Sequence, residues 1–141
     1  IVDVATRRVM AHKVATSLEA GHAKEILQEA LAKYGAPEIV NTDQGSQFTA
    51  QEFTQVVLAC GAKLSMDGRG AWRDNVFVER LWRSVKYEHV YKYAYASVSD
   101  ARARIAGYLD WYNKDRGHSA IEDQTPDEAY WALLPELKKA A

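Results

Sequence analysis

Along the chain, short β-branched runs alternate with longer stretches of helical period, and that alternation sets an element order before any chemistry is considered. Ile1 to Val4 and Val9 to Val14 are two β-rich runs on either side of Ala5-Thr6-Arg7-Arg8, the pattern of a hairpin or the tail of a meander. Thr16 and Glu19 are spaced as a capping box. Ala23, Ile26, Leu27, Ala30 and Leu31 continue an apolar stripe that stops at Gly35-Ala36-Pro37, which predicts a helix over roughly residues 17–34. Residues 38–42 hold the β-branched Ile39, Val40 and Thr42 and have no helical period, so they predict a strand with Asp43 at its carboxyl end. After the turn Gln44-Gly45-Ser46, Thr49 and Glu52 form a second capping box. Phe48 and Phe53 are placed as a hydrophobic staple, and Phe53, Val56, Val57 and Cys60 keep helical spacing until Gly61, predicting a helix over 49–60. Residues 62–66 alternate as a half-buried strand does. Two strand–helix crossovers imply a partly parallel sheet.

Asp67-Gly68-Arg69-Gly70-Ala71-Trp72-Arg73-Asp74 has no period and reads as a basic, glycine-rich loop. From Asn75 the pattern is helical to about Tyr93, with Val78, Leu81, Trp82 and Val85 as the buried stripe. A further helix spans about Ser99 to Asn113, with Ala101, Ile105, Tyr108, Leu109 and Tyr112 on one face. A last one, from about Thr125 to Leu133, has Pro126 at a favoured first-turn position.

Composition adds bounds. With 141 residues, 48% hydrophobic and 26% charged, the chain suits one globular domain spanning 1–141 with a real core, and it is no disordered segment. Net charge is −1, so no global positive field marks a nucleic-acid partner, and any such partner must be met by a local patch. The single cysteine, Cys60, permits neither an internal disulfide nor a multi-cysteine metal site, which points to a reduced, intracellular setting. No run approaches the roughly 18 apolar residues of a membrane span, so no membrane partner is expected. The first residues, Ile1-Val2-Asp3-Val4, already lie inside a strand pattern, and the chain reads as a fragment.

Two acids carry the candidate chemistry. Asp43 stands where ligands gather in open α/β sheets, beyond the carboxyl end of a strand; its plainer role is to bond turn amides. On the helix from Asn75, with Val78 at zero, Lys86, Glu79 and Arg83 fall near about 80°, 100° and 140°, so the acid shares its face with two cations. The plainer role of Glu79 is a surface ion pair with Arg83, four residues on. Asp43 and Glu79 are separated by 35 residues.

That spacing, in those contexts, resembles the D,D-35-E arrangement of the integrase and transposase superfamily. "VNTDQGSQFTAQEF" resembles the block around the second catalytic Asp. "GRGAWRDNVFVERLWRSVKYEHVY" resembles the block around the catalytic Glu of insertion-sequence transposases with a retroviral-integrase-like core, and "YLDWYNKDRGHSAIEDQTPDEAY" their usual ending. The resemblance covers essentially the whole chain. It implies an α/β, RNase H-like mixed sheet flanked by helices, and DNA transposition by phosphodiester cleavage and strand transfer at mobile-element ends. It assigns Asp43 and Glu79 as catalytic, metal-holding carboxylates, with Mg²⁺ or Mn²⁺ as cofactor. Hard oxygen ligands suit those ions, and two ions about 4 Å apart both activate the attacking oxygen and stabilise the leaving one. His12, His22, His89 and His118 are scattered and read as surface or packing residues.

By the same resemblance Arg83 and Lys86, with Arg69 and Arg73 on the loop, would meet DNA phosphates, and Trp72 could stack on a base or pack at home. Asp74 and Asn75 are placed to cap the helix that carries Glu79. The implied partners are mobile-element ends, target DNA and further copies of the chain, in the cytoplasm of a bacterium at the nucleoid. "IVDVATRRV" matches the strand and turn that follow the first acid in this family, so Asp3 is not that acid. The first Asp would lie upstream, on a strand this chain lacks. The chain as it stands would then be inactive in strand transfer and self-associating, or rearranged, around the gap. Arg116-Gly117-His118 departs from the usual Arg-Pro-His, which would loosen the last turn. Two other readings compete: a catalytically inert fragment retaining only DNA binding or self-association, and a phospho-acceptor domain using Asp43, which lacks an acidic pair.

Overall fold

The computed structural model describes residues 1–66 and 75–140. Its chain divides into two compact units, one formed by Ile1 with Ala11–Trp82, the other by Val2–Met10 with the chain from Arg83 onward.

In the first unit, helix α1 (Ala20–Tyr34) is followed by strand β1 (Ile39–Thr42), a single turn α2 (Ser46–Thr49), helix α3 (Gln51–Ala59) and strand β2 (Lys63–Met66). The strands pair in parallel, Ile39 opposite Lys63 through Thr42 opposite Met66, as the crossover through α3 requires. Side chains alternate across the pleat. Val40 and Leu64 turn to a core of Ala23, Leu27, Phe53, Val57 and Ala62, whereas Ile39, Asn41, Lys63 and Ser65 stay exposed on the opposite face. α1 packs on α3 across that core, and Val57 is entirely buried. Burying a Val side chain contributes about 1.5–3 kcal/mol, so this layer holds the strand pair that presents Asp43.

Several local expectations change. α1 begins at Ala20 and not near 17, because Glu19 occupies the cap position without a side-chain bond while Ser17 Oγ donates to the Glu19 carboxylate instead. The Thr49–Glu52 box does not form. Thr49 Oγ1 bonds back to the Ser46 carbonyl, and extended Ala50 (φ −60°, ψ 139°) divides the segment into α2 and α3, with its own carbonyl accepting the first α3 amides. The staple does form, Phe48 meeting Phe53 edge-to-face at 5.3 Å. Gly35 and Gly61 end their helices with φ of 85° and 83°, a region a side chain would disfavour.

In the second unit, Val2 and Val9 form an antiparallel bridge around a turn that Asp3 holds, its Oδ2 accepting both the Thr6 amide and the Thr6 hydroxyl. Asn113 clamps Val9 by accepting from its amide and donating to its carbonyl, both at 2.9 Å. Helix α4 (Val76–Ser84), which belongs to the first unit as far as Trp82, passes into a π-turn at Val85–His89 and a 3₁₀ turn at Val90–Lys92, so the expected continuous helix over 75–93 is interrupted. Within its stripe Val85 is buried and Trp82 is 56% exposed, a departure from the expected period. Helix α5 (Val98–Lys114) is capped by Ser97 Oγ, which accepts from the Asp100 amide, while the Asp100 carboxylate accepts from Ala96. Helix α6 (Pro126–Ala140) runs beyond the expected Leu133 and packs on α5. Thr125 and Glu128 cap it reciprocally, at 3.2 and 2.8 Å.

Candidate active site

Asp43 follows β1 directly and is exposed at the carboxyl end of the sheet, where the parallel register brings Met66 opposite its neighbour Thr42. Its Oδ1 accepts the Gly45 amide at 2.8 Å, closing a turn of the kind Asp favours. Gly45 permits that approach by lacking a side chain: a Cβ there would lie 2.9 Å from Asp43 Oδ1 and 2.8 Å from the Gln47 side chain. The turn role of Asp43 is therefore real, and it occupies one oxygen. Among the described residues Oδ2 makes no hydrogen bond, so the carboxylate keeps a ligand atom toward solvent. Thr42, one residue earlier, faces the core, and its buried Oγ1 has no partner among the described residues.

Glu79 is exposed in the first turn of α4, where the helix dipole favours a carboxylate. Its amide donates to the Asn75 carbonyl at 3.2 Å, which makes Asn75 the residue from which the helix starts. Glu79 enters no ion pair among the described residues, so the surface-pair role is not taken up. Asp43 and Glu79 belong to the same compact unit, and no hydrogen bond links them. Among the described residues no three His, Cys, Asp or Glu gather as a metal cluster. Mg²⁺ characteristically takes one or two carboxylates and completes its shell with water and substrate phosphate, so two open carboxylates fit such an ion.

Arg83 is exposed in the last turn of α4 and Lys86 in the π-turn that follows, and the Arg83 guanidinium lies 6.0 Å from the Tyr87 ring centre. Arg69, Trp72, Arg73 and Asp74 lie outside the described residues. Asp3 is engaged in its own turn, its Oδ2 accepting the Thr6 amide at 3.0 Å. His89 and His118 sit among aromatic rings, as packing residues do: His89 is stacked on Tyr108 at 5.3 Å and His118 meets Tyr112 edge-on at 4.8 Å.

One polar cluster has no local sequence signal. Glu88, in the π-turn, accepts from Arg116 Nη2 at 2.6 Å and Nε at 3.1 Å, and from the Tyr108 hydroxyl at 2.7 Å. Arg116 foremost, with Tyr108 adding to it against the opposing effect of burial, holds the Glu88 carboxyl below the usual carboxylate value. Burial first, then the bond to Glu88, pushes the Tyr108 hydroxyl well up. The partners are 28 residues apart, beyond any helical or hairpin spacing rule.

Comparison with known proteins places this architecture. The integrase core domain family matches residues 1–71, and a second family model of the same description matches 60–126. The chain belongs to the integrase core domain family. It is 26% identical over 130 residues to the transposase for insertion sequence element IS904 of Lactococcus lactis, covering 90% of this chain and 51% of that protein. It is 23% identical over 130 residues to the putative transposase InsK for IS150 of Escherichia coli, covering 91% and 46%. The chain thus spans about half the length of these curated relatives. Among solved structures, the HTLV-2 integrase catalytic core in complex with magnesium superposes with a TM-score of 0.68 at 20% identity, over 91% of this chain and 80% of that one. The catalytic core of BIV integrase gives 0.67 at 22% identity, over 92% and 80%. The fold is the RNase H-like fold of integrase catalytic cores, and in sequence the chain is similar to insertion-sequence transposases.

Proposed function

We propose that this core carries out metal-dependent cleavage of DNA phosphodiesters and strand transfer at mobile-element ends, with Asp43 and Glu79 as two of the acids that hold Mg²⁺ or Mn²⁺. The observation that supports it most is the pair of exposed carboxylates in one unit of an integrase-type fold, one with an oxygen open at a strand's carboxyl end and one in a helix's first turn. A bound divalent ion would supply activation of the attacking oxygen and stabilisation of the leaving one. The chain's own contributions are positional. The β1–β2 pair and its core fix the Asp43 backbone, the Gly45 amide orients its carboxylate, and α4 fixes Glu79. Arg83 and Lys86 neutralise phosphates of the DNA end, as Arg69 and Arg73 would. Target DNA and further copies of the chain complete the partners, and the activity is exercised in the bacterial cytoplasm.

The test is a cleavage and strand-transfer assay on the full gene product carrying Asp43→Asn or Glu79→Gln. Each is expected to reduce turnover by at least about a thousandfold, the scale of losing a group that acts on the transition state, while DNA affinity stays within twofold. Full activity in either variant would remove that carboxylate from the site.

A further inference from the structure

The chain from Arg83 to Lys92 carries a feature that the carboxylate site leaves unused. Tyr87 and Tyr91 are 62% and 66% exposed, yet they touch each other, ring centres 5.3 Å apart and planes at 89°. The π-turn and the 3₁₀ turn that follow α4 bring them together. The Arg83 guanidinium lies over the Tyr87 ring, 6.0 Å from its centre. Lys86 and Lys92 are exposed on the same segment, and neither they nor Arg83 enter an ion pair among the described residues. The one acid of the segment, Glu88, is engaged by Arg116 and Tyr108. The segment therefore presents two largely exposed tyrosine rings beside three cations that enter no ion pair among the described residues, Lys92 alone lying within electrostatic reach of the Glu88 carboxylate.

That combination fits a polyanion with flat, unpaired rings. Base–aromatic stacking is indifferent to sequence because every base has a π-face, and neighbouring cations hold the backbone that carries the bases. A duplex hides those faces and a single strand offers them. An apolar protein surface would match the rings but leave three cations desolvated against it. We infer that Tyr87 and Tyr91, with Arg83 at one end, form a stacking platform for unpaired bases of single-stranded DNA. The inference rests on the DNA reading above and narrows its ligand to a strand with exposed bases.

Equilibrium binding of the full gene product to a blunt duplex and to the same duplex with a short single-stranded overhang, at one salt concentration, tests it. The unaltered protein is expected to prefer the overhang DNA. The double variant Tyr87→Ser/Tyr91→Ser should lose about tenfold or more of its affinity for that DNA, the factor that stacking of a single base supplies. Tyr87→Phe/Tyr91→Phe should retain it, because the ring and not the hydroxyl makes the contact. Both tyrosines are exposed, so thermal unfolding is expected to be unchanged and serves as the folding control. Binding to both DNAs with no preference for the overhang, or a serine variant that keeps the preference, would overturn the platform and leave the DNA reading standing. Binding to neither DNA would overturn both. A serine variant altered in sedimentation but not in DNA binding would reassign the tyrosines to a protein contact.

Discussion

Replacing Glu88 by Ala removes an acceptor that serves three donors at once. Two come from Arg116, at 2.6 and 3.1 Å, and the third from Tyr108, at 2.7 Å. Hydrogen bonds to charged groups contribute about 1.5–3 kcal/mol each when well buried. Here the side chains of Arg116 and Glu88 are 27% and 33% exposed, so solvent screens part of the interaction and a total of about 2–3 kcal/mol is the sensible expectation. In a protein of this size that corresponds to a Tm lower by about 5–10 °C. Glu88→Gln keeps the shape and one good acceptor, and should lose about half as much. Circular dichroism melts at neutral pH measure both. Acidification gives an independent reading. The carboxyl sits below its ordinary value in the folded state, so its contribution is complete above the unfolded value near about 4.3 and fades as pH falls through the lower, folded one. The unaltered protein should lose stability more steeply below about pH 4.5 than Glu88→Gln does. A melt for Glu88→Ala within about 1 °C of the unaltered protein, or identical acid profiles for it and Glu88→Gln, would refute the reasoning.

Two other perturbations follow from the geometry. At Gly117 a Cβ would stand 2.8 Å from the Asp123 carbonyl oxygen, a backbone atom that cannot step aside, so Gly117→Ala is expected to destabilise by about 1–3 kcal/mol in a denaturant titration. No change would show that the 118–124 turn yields freely. Reversing both cations in Arg83→Glu/Lys86→Glu should weaken binding to any DNA sequence and lower the slope of log K against log salt by about 1 per lost phosphate contact; an unchanged slope would return both to a solvated role.

Much of this architecture is legible in the sequence because local rules and tertiary packing agree there. The β1–α3–β2 crossover, the Phe48–Phe53 staple and the α5 stripe of Tyr108, Leu109 and Tyr112 all follow from period and capping spacing. Where the reading fails, two local options were available and packing chose between them. Thr49 can cap a following helix or bond back within a preceding turn, and it does the second. The segment 75–93 has helical period throughout, but Glu88 reaches Arg116 and Tyr108 from within a π-turn, and that long-range network has no trace in local spacing. Asp43 is legible as an acid at a strand end whose plainer role is to bond turn amides; the structure has such a bond, from Gly45, and the second oxygen makes none among the described residues. Glu79 drew its meaning from the 35-residue interval and the words around it, since an exposed acid in a first helical turn is ordinary by itself.

The central claim is that Asp43 and Glu79 hold one divalent cation between them. Anomalous diffraction from crystals of the protein soaked in Mn²⁺ measures it directly. The account predicts a manganese peak with a carboxylate oxygen of Asp43 and one of Glu79 both at about 2.1 Å. Carboxylates directed to opposite sides of the domain, or manganese bound only elsewhere, would contradict it.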